Sequence, residues 1–138
     1  MSTETLTSFA PQVLSLLRII AALLLMQYGA AKILGFPHVQ MFQGVQIFSL
    51  YGLSGLLELI GGFLLLIGLF TRPVAFILSG EMAAAYFIGH FPKGFIPLLN
   101  GGNEAVIYCF VFFYIFFAGP GPWSVDAVRE TPLSHEMT

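Results

Sequence analysis

Five basic and seven acidic residues are all the formal charge this 138-residue chain carries, and several interrupt its most apolar stretches. Arg18 and Lys32 lie in "LLRIIAALLLMQYGAAKILGF", Glu58 in "LLELIGGFLLL", Glu81 in "LSGEMAAAYF", and Glu104 heads "NEAVIYCFVFFYIFF". A charge among apolar neighbours is costly, so such residues face a packed interior or a water-filled cavity. At about 100° per helical residue, Arg18, Ala22, Leu25, Gly29 and Lys32 fall within roughly 40° of one line. By the same count Glu58 shares a face with Tyr51, Gly55, Gly62 and Leu65. Glu81 lies beside Ala84, Ala85 and Ile88, and Glu104 is in line with Ile107, Tyr108 and Val111.

Depth sorts these groups into two layers. Arg18 and Glu81 each lie roughly 10 Å in from the start of their helices, which predicts a structural ion pair in one half of the membrane. Lys32, Glu58, His90, Asn100 and Glu104 gather near the opposite surface, with Tyr28 close by, and are the candidate ligand-binding set. Two readings of that set stand. Lys32 can pair with Glu58 or Glu104 simply to fix helix register. Alternatively a small polar head group enters there, and a desolvated Glu58 beside His90 exchanges protons with it. No two histidines have helical ligand spacing, so no metal or haem site is expected. Cys109 is the only cysteine, which excludes an internal disulfide, a CxxC redox pair and a cysteine cage. No nucleophile–base pair, phosphate loop or dinucleotide fingerprint is present.

The elements that position these residues must cross a bilayer. Hydrophobic residues make up 57% of the chain and charged residues 9%, against roughly 25% charged in soluble domains. Nothing resembles a basic patch for nucleic acid. A span needs about 20 apolar residues, and four segments qualify, at about 11–35, 51–70, 73–91 and 101–118. The expectation is an all-α, polytopic membrane four-helix bundle with short loops, forming a single membrane domain over residues 1–138. The head "MSTETLTSFAPQ" lacks Lys and Arg, so the first apolar run reads as a retained helix rather than a cleaved signal. "TRP" joins the second and third spans as a tight hairpin. "FPHVQMFQGVQIFSL" is too broken to span and reads as an interfacial segment. Four spans put both termini on one side. Arg18, Arg72 and Arg129 against Lys32 and Lys93 favour the cytoplasmic side of an inner, multi-pass membrane location.

After the fourth span comes "AGPGPWSVD", then the polar tail that completes residues 119–138. Pro120 and Pro122 stop the helix, and Trp123 suits the interfacial belt as an anchor. Ser124 or Asp126 can cap a tail helix. Asp126 is also placed to reach Arg72 in the "TRP" turn as a second structural ion pair.

Over residues 12–127 the chain resembles the DoxX family of small four-helix membrane proteins. The resemblance rests on the helix-one string quoted above, "LLELIGGFLLLIGLFTRPVA", "MAAAYFIGHFPKGFIPLLNGGNEAVIYCF" and "AGPGPWSVD". It implies that Arg18, Lys32, Glu58, Arg72, His90, Asn100, Glu104, Trp123 and Asp126 occupy the family's polar motif positions. Asn103 and Glu104 sit where the family tolerates varied polar residues. Members are similar to subunits of thiosulfate:quinone oxidoreductase, which implies a quinone-linked redox component. Quinone is then the expected cofactor, with none intrinsic to the chain. The expected partners are the lipid bilayer, a redox partner subunit and further copies of the chain. The alternative is a non-catalytic membrane scaffold with purely structural charge pairs. Small-molecule efflux ranks last, since no broken helix marks a midplane site.

Overall fold

Caps and breakers set the helix ends. The computed structural model describes the backbone of residues 1–136 and the side chains of residues 1–130. The last two residues of the expected 119–138 tail lie outside the described residues. Ser2 accepts a hydrogen bond from the Thr5 N–H at 3.2 Å and starts α1, Thr3–Ser8. Pro11 stands in the first turn of α2, Ala10–Ile33, where its missing N–H leaves no bond unmade. Ser49 accepts from the Gly52 N–H at 3.1 Å and opens α3, Leu50–Ile67. Gly68, at φ 71°, closes α3 in the left-handed conformation that its lack of a Cβ permits. α4, Thr71–Ala85, follows at once. Its backbone then widens into a π turn, Tyr86–His90, and a 3₁₀ turn, Phe91–Lys93. A single turn α5, Pro97–Asn100, precedes α6, Asn103–Ala118, and α7 covers Val125–Glu136.

No strand occurs among the described residues. Three helical stretches are long and apolar enough to cross a membrane: Ala10–Ile33, Leu50–Ile67 and Thr71–Lys93. α6 is apolar but shorter, with 16 residues, which is roughly 24 Å at 1.5 Å per residue. Four spans of similar length were expected. The glycine and proline pairs at 101–102 and 119–120 trim the fourth.

α2 packs along α3, α4 along α6, and the α3–α4 hairpin joins the two pairs, whereas α2 and α6 meet only sparsely. Leu25, Leu65, Ala75, Leu78, Phe112 and Ile115 form the core. Ile20, Leu24, Phe63, Phe76, Phe110 and Phe117 are exposed around it, an apolar exterior suited to lipid. Close approach of α2 and α3 depends on Gly29: a Cβ there would lie 2.5 Å from the Leu59 nitrogen and 2.9 Å from the Gly55 carbonyl oxygen.

Arg18 corrects the first expected ion pair. It is fully buried, and its guanidinium meets no carboxylate. Nε donates to the Leu65 carbonyl at 2.8 Å and Nη2 to the Trp123 carbonyl at 2.6 Å. Nη1 donates to the Pro120 carbonyl. Arg18 therefore closes the carbonyl end of α3 and grips the segment after α6, where a cation also meets the negative end of the helix dipole. Glu81 sits elsewhere, against Ser54. An arginine side chain on a helix leans toward that helix's N-terminus, which carries the guanidinium of Arg18 away from Glu81.

The second expected pair is corrected as well. Asp126 does not bond Arg72. Its Oδ1 accepts from the Phe70 N–H at 3.0 Å and its Oδ2 from the Thr71 N–H at 2.9 Å, so it caps α4 from across the chain. Its own N–H donates to the Gly68 carbonyl at 2.9 Å. Ser124, not Asp126, caps the tail helix, accepting from the Ala127 N–H at 3.1 Å. Trp123 is half exposed, and its backbone N–H donates to Ser15 Oγ at 3.1 Å.

Candidate functional site

At the opposite end of the helices, Lys32 lies in the last turn of α2 and leans on α3 at Gly55, whose Cβ position would fall 2.8 Å from Lys32 Cβ. Glycine at 55 thus lets the ammonium reach across. Nζ lies 2.8 Å from Glu58 Oε1 and 3.2 Å from Oε2, the single ion pair among the described residues. The two side chains are only 8% and 3% exposed, so water screens this pair little. Ser54, one turn before Glu58 on the same face of α3, joins them. Its Oγ is 3.1 Å from Lys32 Nζ and 3.0 Å from Glu58 Oε2. From α4, Glu81 brings Oε1 to within 2.7 Å of the same hydroxyl. Its other oxygen, Oε2, is buried without a partner.

The segment after α2 folds back over this network. Its 3₁₀ turn, Gln40–Phe42, sets the Phe42 ring 5.2 Å from Lys32 Nζ, and the Tyr51 ring stands 5.9 Å away. Both distances suit attraction between an ammonium and an aromatic face. Between Lys32 and the segment lies a cleft of about 340 Å³, lined among others by Ile33, His38, Val39, Phe42 and Gln43. At its edge Gln43 Nε2 is 2.9 Å from His38 Nδ1.

The remaining candidates form two separate groups. The Tyr28 hydroxyl bonds Glu104 Oε2 across α2 and α6. The charges of Glu104 and Glu58 both act on Tyr28 and Tyr108, which places this pair electrostatically beside the network. Asn100 is buried and fully used: Nδ2 donates to the Tyr86 hydroxyl at 3.2 Å and the Gly94 carbonyl at 2.9 Å, and Oδ1 accepts from the Gly102 N–H at 2.8 Å. His90 Nδ1 donates to the Asn100 carbonyl at 3.1 Å. These two residues tie residues 86–102 into a knot and touch neither Lys32 nor Glu58.

Ser54, His38, Phe42 and Gln43 were missed as candidates, and Glu81 was assigned to the wrong partner. The Ser54–Glu58 spacing of one helical turn was the signal available for Ser54. Nothing local marks His38 or Gln43, because a fold-back of the loop brings them to Lys32.

The buried Lys32–Ser54–Glu58–Glu81 network lies wholly within residues 13–91, the stretch that the DoxX family profile matches. The chain belongs to the DoxX family. An uncharacterized protein of Haemophilus influenzae is 41% identical over 128 residues, covering 89% of this chain and 95% of its own length. No solved structure matches this DoxX-family membrane protein. Asn100, Glu104, Trp123 and Asp126 fall beyond the profile match and inside the longer resemblance expected from the sequence.

Proposed function

We propose that this DoxX-family membrane protein is a quinone-linked redox component of the inner membrane, working beside a redox partner subunit. In this reading its four apolar helices form one bundle with both termini cytoplasmic, and the cleft at Lys32 receives a quinone head group. The carrying observation is the buried Lys32–Glu58 pair, whose Lys32 lines that cleft.

The donor set suits such a ligand. A quinone head group offers two carbonyl acceptors and a flat apolar ring. The Gln43 amide supplies a hydrogen-bond donor, the Lys32 ammonium a positive charge beside the acceptors, and Ile33, Val39 and Phe42 an apolar wall. A volume of about 340 Å³ falls within the range of about 300–1,000 Å³ typical of ligand pockets. When bound, the quinone takes up two electrons and two protons to become a quinol. The chain has one cysteine, so the electrons enter from the partner subunit's redox centre. Lys32, held in place by Glu58 and Ser54, sets its positive charge toward the head group, and Phe42 covers the ammonium from the loop side.

The test is quinone retention. Purified protein is extracted, and quinone is quantified by absorbance and mass. Glu58→Gln is expected to lower retention about tenfold or more and to weaken retention more than folding, although removing one partner of a buried pair also lowers the thermal midpoint. Wild-type protein that carries no quinone and binds none when it is added would sink the proposal. A second reading, a non-catalytic membrane scaffold, draws on Arg18 and Asn100, whose buried polar groups are fully engaged in structural bonds. It predicts that Lys32→Met with Glu58→Leu assembles normally with every partner.

A further inference from the structure

We infer that Glu81 holds a proton within the helices and shares it with Glu58 through the Ser54 hydroxyl. Hydrogen counting at Ser54 carries this. Its Oγ has one hydrogen and two lone pairs. It stands at bonding distance from two carboxyl oxygens, Glu58 Oε2 at 3.0 Å and Glu81 Oε1 at 2.7 Å, and from the Lys32 ammonium at 3.1 Å. The ammonium takes one lone pair. One hydrogen cannot serve two carboxylates, so one carboxyl group brings its own and donates it to the second lone pair. All three contacts at the Ser54 oxygen are then satisfied.

Two further observations say which acid carries the proton at rest. Lys32 Nζ bonds both oxygens of Glu58, at 2.8 and 3.2 Å, which holds Glu58 ionised, and none of Glu81's contacts is to a cation. Glu81 Oε2 is buried with no partner, a far smaller penalty for the carbonyl oxygen of a neutral acid than for a carboxylate. The count of charge agrees. One ammonium and two carboxyl groups at this apolar depth are neutral only with one added proton. The titratable groups around the pair are Lys32 and Tyr28 from α2 and Tyr108 from α6, with Glu104 beyond them against the two tyrosines.

The same heavy-atom positions fit the mirror state. The Glu81 O–H bond breaks as a new O–H forms on Ser54 Oγ. The original Ser54 O–H breaks as one forms on Glu58 Oε2. One proton has moved from Glu81 to Glu58, the partner of the cleft-lining Lys32, without a side chain turning. Delivery from Glu58 onward to a head group rests on the quinone reading; the resting proton does not.

Infrared spectroscopy of the protein in phosphatidylcholine vesicles at neutral pH tests it. Wild type is expected to show the carbonyl stretch of a protonated carboxylic acid, shifting in D₂O and absent in Glu81→Gln. Lys32→Met leaves no cation to hold Glu58 ionised, and the band is expected to grow about twofold. Ser54→Ala keeps both acids but removes their bridge, so the band is expected to shift, and it carries the test if Glu81→Gln fails to fold. No such band in wild type, or a band indifferent to all three changes, overturns the inference. Quinone content measured on the same samples separates its failure from failure of the redox reading.

Discussion

Arg18 and Lys32 are the two cations of one helix face, and their partners give them opposite sensitivities. Arg18 spends its guanidinium on backbone carbonyls of Leu65, Pro120 and Trp123. Removing it leaves the Trp123 carbonyl without its donor, while the Leu65 and Pro120 carbonyls keep the Gly68 N–H and the Ser15 hydroxyl; an acceptor left unpaired costs about 1–3 kcal/mol. Arg18→Leu is therefore expected to lower stability by about 1–3 kcal/mol, read as a drop in thermal midpoint in detergent. Adding Glu81→Leu is expected to restore none of it, because Glu81 belongs to the Ser54 network; a rescue would mean that the two do pair. Asp126 offers a milder case at the same end. Burial opposes its charge, but the N–H groups of Thr71 and Phe70, with Arg129, hold its carboxyl below the usual range. A lowered folded value means stability that is full above the unfolded value of about 3.9 and is lost as the pH falls through the folded value. Asp126→Ala is expected to cost about 1–2 kcal/mol, as for a lost helix cap. The gap from wild type should be complete at neutral pH and close as acid protonates the carboxyl.

The α2–α3 crossing decides whether the Lys32 network forms at all. A side chain at Gly29 would strike backbone, the Leu59 nitrogen and the Gly55 carbonyl, which cannot swing aside as a side chain can. Gly29→Val is expected to part the helices at a cost of about 1–3 kcal/mol. It should also lower quinone retention although residue 29 touches no part of the cleft; retention unchanged alongside a lowered thermal midpoint would separate the crossing from the site. This crossing was largely legible in the sequence, because Gly29, Gly55 and Gly62 share faces with Lys32 and Glu58. The end of the last apolar helix was legible too, from the Gly-Pro steps. What stayed hidden were the partners. Backbone carbonyls leave no trace in residue type, so a buried Arg18 suggested a carboxylate and the nearest in depth was chosen. Depth measured along the axis also ignores the lean of each side chain. The wall of the cleft depends on residues 34–49 turning back, and neither hydropathy nor spacing specifies that turn.

For the whole molecule the open question is what α6 does in the bilayer. At roughly 24 Å it is shorter than a hydrocarbon core of about 30 Å. Length alone would let it lie along a surface. Its packing argues for a crossing. α6 runs beside α4, its start lies by Tyr28 through Glu104, and the segment beyond its end is held at the far side by Arg18. Local thinning absorbs such a mismatch at a fraction of a kcal/mol per Å. In a Cys109→Ala background, single cysteines at Gln43 and Glu130 separate the two arrangements. If α6 crosses, residues 43 and 130 face opposite sides, and an impermeant thiol reagent labels them in vesicles of opposite orientation. If it lies flat, both label from one side. We expect opposite sides, with residue 130 reached from the cytoplasm, which would put the Lys32 cleft within reach of a partner on the external face. Labelling of both from one side would detach the Arg18 clasp from the membrane frame and sink the four-span arrangement.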